Sequence, residues 1–139
     1  MSKVERNHSA EFEDHFAHPR NVGSLGDADE GVGTATVTVS ECGDVMRLQI
    51  KVDDQGRIFR AVFKAYGCSA AIAAGSVTTE WLKGRSIAEA QGFRKQYVTE
   101  ALSLRLDKQH ASRLAAGAVR EALADLRQKS GLAESTTER

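Results

Sequence analysis

Cys42 and Cys68 are the side chains whose type most readily does chemistry. Cys68 lies in Tyr66-Gly67-Cys68-Ser69-Ala70-Ala71, where a β-branched and aromatic stretch gives way to an alanine-rich one, so it falls where a strand ends and a helix begins. Unpaired backbone N–H groups and the positive end of the helix dipole gather at such a seam. Both favour the thiolate, the form that acts as nucleophile or metal ligand. Cys42 lies in Glu41-Cys42-Gly43-Asp44, a tight turn in which glycine permits backbone conformations that other residues resist. Neither cysteine belongs to a C-x-x-C pair. Position alone also allows two other roles, a small buried hydrophobe and a Cys42–Cys68 disulfide acting as a redox switch.

The elements around these residues must place them. Residues 34–40 are β-branched and alternating, and 45–52 alternate more clearly, with Met46, Leu48, Ile50 and Val52 set against Arg47, Gln49 and Lys51. Asp53-Asp54-Gln55-Gly56 is a turn, and 57–66 form a third strand with Phe59, Ala61, Phe63 and Ala65 on one face. Short links make the three an antiparallel meander, each strand with one wet face. The end of the third strand then meets the turn between the first two, so that two thiols and the Asp44 carboxylate converge at one sheet edge.

Helices flank the strands. Phe12 and Phe16 place a short amphipathic helix over 9–17, with His15 and His18 on its surface; 21–33, rich in glycine and acidic residues, reads as an irregular loop. Residues 69–82 open with Ala70, Ala71, Ile72, Ala73 and Ala74, apolar all round, and are expected to bury against the sheet, with Trp81 at the packed end. Ser86 and Glu89 form a capping box for a short helix to about Gln91, 93–106 hold a helical turn or two, and 108–128 form a long amphipathic helix with His110 in its first turn. The fold class is α+β: a three-stranded antiparallel sheet with an N-terminal helix and a C-terminal helical layer. Residues 9–129 make one domain, and 1–8 and 130–139, poor in apolar side chains, are expected to be disordered.

Composition narrows the partners. The 19 basic and 19 acidic side chains cancel, and no basic stripe interleaves with aromatics, so nucleic acid is not an expected partner. There is no apolar leader and no stretch of membrane-spanning length, which suggests a cytoplasmic protein without a membrane partner. Thiols there stay reduced or metal-bound.

Several segments, in order, resemble the IscU and NifU N-terminal scaffold family of iron-sulfur cluster assembly. They are His18-Pro19-Arg20-Asn21-Val22-Gly23, Asp27-Ala28-Asp29, Cys42-Gly43-Asp44-Val45-Met46, Phe63-Lys64-Ala65-Tyr66-Gly67-Cys68, Ala71-Ile72-Ala73, Thr79-Glu80-Trp81-Leu82-Lys83-Gly84 and Lys108-Gln109-His110. The resemblance implies a non-enzymatic scaffold of IscU-like fold. Such a scaffold accepts sulfur from a cysteine desulfurase and iron from an iron donor, holds a labile 2Fe-2S cluster and passes it to recipient apoproteins. Carried over by position, it makes Cys42, Asp44, Cys68 and His110 the metal ligands and Cys68 the persulfide acceptor. Two sulfurs, a nitrogen and an oxygen also satisfy tetrahedral zinc, which the isolated protein can therefore carry in place of a cluster.

Two departures stand out. The family's third cysteine follows the histidine directly, but here His110 is followed by Ala111. The missing thiol motivates an alternative function, a degenerate zinc-binding paralogue that binds or regulates a cysteine desulfurase without assembling clusters. The family's chaperone-recognition segment, Leu-Pro-Pro-Val-Lys, is here Leu104-Arg105-Leu106-Asp107-Lys108. Without prolines to hold it extended, docking to an Hsp70-type chaperone is expected to be weak or absent.

Overall fold

Met46, Leu48 and Ile50 alternate along one strand and must leave water together, which fixes a sheet with one covered face. In the computed structural model, which describes residues 9–26, 31–39 and 43–130, they do so completely. Strands β1 (Val32–Val39), β2 (Asp44–Val52) and β3 (Ile58–Tyr66) form an antiparallel sheet in the order β1-β2-β3. Helix α1 (Ala10–Ala17) precedes it; α2 (Ser69–Leu82), α3 (Ile87–Ala90), α4 (Lys95–Leu102), a 3-10 turn (Leu106–Lys108) and α5 (His110–Ser130) follow. The expected α+β class, meander and helical layer are all present.

Helices α2 and α5 cover the apolar face of the sheet, mostly with small side chains: Ala70, Ala71, Ala73 and Ala74 from α2, and Ala111, Ala115, Ala118 and Ala122 from α5. Small residues let the helix axes come close. At Gly75 the approach is so tight that a Cβ would overlap the Phe63 ring. Both sheet edges are closed. Asn21 and Gly23 exchange backbone hydrogen bonds with Phe63 on the β3 side, while on the β1 side Thr34 donates to Asp125 and the Lys129 ammonium donates to the Val32 carbonyl.

Local signals explain most boundaries. Ser9 caps α1, its Oγ accepting from the Phe12 N–H and donating to the Leu102 carbonyl, which ties the first helix to α4. The Ser86–Glu89 capping box is formed, and Trp81 stacks on Tyr97 and meets Phe93 edge-on beneath the Arg85 guanidinium, joining α2 to the α3–α4 connection.

Four expectations need correction. A register shift at Lys51/Val52 pairs Val52 with Ile58, so Ile58 turns into the core while Phe59, expected there, is 49% exposed. Gln49, expected on a wet face, is 1% exposed, because its amide exchanges hydrogen bonds of 2.8 Å with both backbone groups of Leu25 and donates to Thr34 Oγ1. The last helix starts at His110, two residues late, since 106–108 wind as a 3-10 turn. His15 leaves the α1 surface to meet α2, whereas His18 stays exposed. Of the segments 1–8 and 130–139 expected to be disordered, Ser130 ends α5 and the rest lie outside the described residues.

His15 Nδ1 lies 2.7 Å from Ser76 Oγ and 3.3 Å from Arg20 Nη1. Burial, helped by the Arg20 charge, lowers its pKa below 6.5 against the pull of Asp14, Glu80 and Glu11. The unfolded chain therefore takes up this proton first as the pH falls. The stabilisation is full above 6.5 and is lost as the pH drops from there toward the lowered folded value. Urea midpoints measured between about pH 7.5 and about pH 5.5 should fall less in His15→Asn than in the unaltered protein, and an equal fall would contradict the assignment.

Candidate metal centre

Three elements end at one point. Asp44 opens β2, and because Val45 pairs with Tyr66, the chain leaving β3 passes directly over the Asp44 side chain. Gly67 makes the turn with φ +135°, a conformation that L side chains rarely adopt, and a Cβ there would occupy the place of the Asp44 carboxylate. Cys68 follows as the N-cap of α2, and His110 arrives as the first residue of α5, anchored by Ala111 and Leu114 in the core.

The Asp44 carboxylate organises the group. Its Oδ1 accepts the Cys68 backbone N–H at 3.2 Å, and its Oδ2 accepts the Cys68 thiol at 3.0 Å and lies 3.1 Å from His110 Nε2. Cys68 Sγ is 3.5 Å from the same nitrogen. One sulfur, one nitrogen and one carboxylate oxygen thus lie within 4.8 Å of one another. The Asp44 side chain is nearly sealed from solvent and that of His110 mostly so, while Cys68 is half-buried.

The titration directions follow from this packing. Burial works to raise the Asp44 pKa, but the Cys68 thiol, the Cys68 N–H and His110 outweigh it and hold the carboxyl below its ordinary value. For Cys68, burial comes first and the Asp44 hydrogen bond second, both raising the thiol; the N–H groups of Ala71 and Ala70 pull the other way and lose. The helix start was expected to favour the thiolate, but the carboxylate beside it reverses the outcome. In this geometry the protonated thiol is favoured, its hydrogen bond directed to Asp44.

Of the sequence candidates, Asp44, Cys68 and His110 come together, and Cys42 lies outside the described residues. Among the described residues Cys68 is a free cysteine. Ala111 is wholly buried, so position 111 faces the core and not the solvent side of the group. Gly67 joins these residues as a backbone member of the site. Its signal in the sequence is a glycine at the last step before a cysteine at a strand-to-helix seam.

Residues 7–133 match the family described as NifU-like N terminal domain. The chain is 51% identical over 118 residues to the iron-sulfur cluster assembly scaffold protein IscU of Haemophilus influenzae, covering 85% of this chain and 94% of that protein. It is 50% identical over 119 residues to the IscU scaffold protein of Azotobacter vinelandii, covering 86% and 93%. Among solved structures, a hypothetical protein at 27% identity has a TM-score of 0.63 over 83% of this chain and 95% of its own. The NifU-like N-terminal protein of Brucella abortus, at 16% identity, shares the fold with a TM-score of 0.63 over 88% and 94%.

Gly67→Ala should cost about 1–3 kcal/mol of stability, since it adds backbone strain and displaces the carboxylate. It should also weaken Co(II) binding, followed by the thiolate-to-metal absorption band. Stability and cobalt affinity both unchanged would show that the close approach does not position Asp44.

Proposed function

The chain belongs to the NifU-like N-terminal domain family, and from that premise we infer that it is an iron-sulfur cluster assembly scaffold, holding a labile cluster as cargo and passing it on. The observation that carries this reading is the convergence of Asp44, Cys68 and His110, from three elements, in a chain about half identical to IscU scaffold proteins over most of both lengths. That degree of identity does not favour the alternative of a zinc-binding regulator.

In the proposed sequence of events Cys68 is the sulfur acceptor. Its thiolate attacks the outer sulfur of a cysteine desulfurase persulfide; a new S–S bond forms on Cys68, the old one breaks, and the donor cysteine leaves as thiolate. Asp44 Oδ2 and His110 Nε2, 3.0 and 3.5 Å from Sγ, are within reach of the proton that the thiol must first give up. Asp44, Cys68 and His110 then hold the iron of a 2Fe-2S cluster, with Cys42 as the further thiolate. Oxygen and nitrogen donors in place of sulfur suit a cluster that must be released, and the same set accepts zinc in isolated protein.

This role involves no turnover chemistry of its own and calls for an iron donor and recipient apoproteins as partners. No helix of the described residues is long and apolar enough to cross a membrane, and the reading places the protein in the cytoplasm, where thiols stay reduced. The Leu106–Lys108 turn, wound as 3-10 helix, offers an Hsp70-type chaperone no preorganised extended segment, which supports weak docking there.

Anaerobic incubation with iron, cysteine and a cysteine desulfurase should give cluster absorbance in the visible region, with persulfide trapped on Cys68. A protein that stays colourless, while Ala111→Cys forms a cluster, would rule out autonomous assembly. Persulfide found only on Cys42 would overturn the choice of acceptor.

A further inference from the structure

Away from the metal centre, a cavity of about 390 Å³ opens between α5 and the link from α3 to α4. Val119 and Leu123, both buried, make its floor, while Phe93 and Ala116 are only half-buried and leave apolar surface in its walls. That volume, with an apolar lining and a few polar groups, is the make-up of a binding pocket. Ala116, Val119, Arg120, Leu123 and Arg127 recur every three or four residues, so they share one face of α5 and the groove runs along it for about 16 Å. A channel of that shape, between one helix and its neighbour, is filled by the side-chain ridge of a further helix.

The charge in the groove selects the partner. Arg120 and Arg127 both line it, two turns and about 10.5 Å apart along the axis, and no carboxylate is among the described lining. The acidic residues nearest in sequence are engaged elsewhere. Asp125 accepts the Thr34 N–H at 2.8 Å and lies 3.3 Å from the Lys129 ammonium, and Glu89 accepts the Ser86 N–H at 2.9 Å. Glu121 lines the groove on the β1 side, which Arg120 also borders. Guanidiniums pair with carboxylates in a fixed fork geometry, and two of them at heptad spacing select two carboxylates at the same spacing. We propose that this groove binds a helix of a partner protein carrying two glutamates seven residues apart with a leucine midway, the leucine entering the cavity and each glutamate meeting one arginine. Val119, Arg120, Leu123 and Arg127 lie between about two and five turns beyond His110, so the inference does not depend on what the metal centre holds.

Alanine-rich peptides of about 18 residues, long enough to be helical and labelled with a fluorophore, serve as probes for the whole chain, with binding read by anisotropy. The matched peptide, with glutamates seven apart and leucine midway, should bind saturably. A peptide of the same composition with both glutamates moved two positions along, to the far face of its helix, should bind about tenfold more weakly, and so should the matched peptide with alanine in place of leucine. Arg120 is exposed, so Arg120→Glu should leave the fold intact and still weaken the matched peptide by a similar factor. Replacing the glutamate at one end of the peptide by lysine, and only at that end, should restore binding to this variant and thereby give the orientation of the bound helix.

No saturable binding of the matched peptide overturns the proposal. Equal affinity for the matched and displaced peptides does so too, since attraction without register needs no groove. A proline in the middle of the matched peptide that leaves its affinity unchanged overturns the helical occupant, and rescue of Arg120→Glu by lysine at neither end overturns the pairing. A dimer in sedimentation that Arg120→Glu makes monomeric would put a second copy in the groove instead of a partner. An about tenfold gain in affinity on removal of residues 131–139 would put the chain's own last residues there.

Discussion

A carboxylate sealed from water is costly unless donors surround it, by several kcal/mol for an unpaired ion. Asp44 is such a carboxylate, and the site exists because its needs are met. One oxygen takes the Cys68 backbone N–H, the other takes the thiol and sits against His110. Hydrogen bonds to a charged group contribute about 1.5–3 kcal/mol each, so these offset the burial and at the same time fix where the strand-to-helix seam and the start of α5 must lie. The rest of the fold serves this meeting. The meander returns β3 beside the start of β2, Gly67 lets the backbone pass over the carboxylate, and alanines on α2 and α5 let both helices sit close enough to bring their first residues to it.

Much of this was legible in the chain because it rests on short-range pattern. Alternation in 45–52 marks β2, and the small apolar run after Cys68 marks α2 to the residue at both ends. The convergence of Asp44 and Cys68 follows from strand order alone. His110 needed the family resemblance, since a histidine at a helix start carries no local sign of what it faces.

What was not legible depends on long-range packing. The shift that turns Ile58 inward and Phe59 outward comes from an extra residue at the end of a ladder, which periodicity cannot register. Gln49 is buried because a segment distant in sequence folds over it and presents both backbone groups of Leu25 to its amide. His15 looked like a surface residue until α1 packed on α2 and brought Ser76 to it. At the centre, Cys68 does cap a helix N-terminus, but the net effect on its thiol is opposite to the one that position favours. The N–H groups do favour a thiolate, but a carboxylate at 3.0 Å and partial burial favour the thiol more strongly.

On the proposed scaffold reading, that reversal bears on how the group would take up a cation. A thiol held by its own neighbouring carboxylate is protected while the site is empty of cations, and a cation entering the group satisfies Asp44 and Cys68 together by displacing the shared proton. Were a cation bound there and then lost, Asp44 would regain its bonds to Cys68 and His110. A site whose carboxylate was left bare would have no such bonds to regain. Ala111 sits on the other side of this account: wholly buried in the core, its methyl group contributes packing next to His110 in sequence and brings no donor to the group.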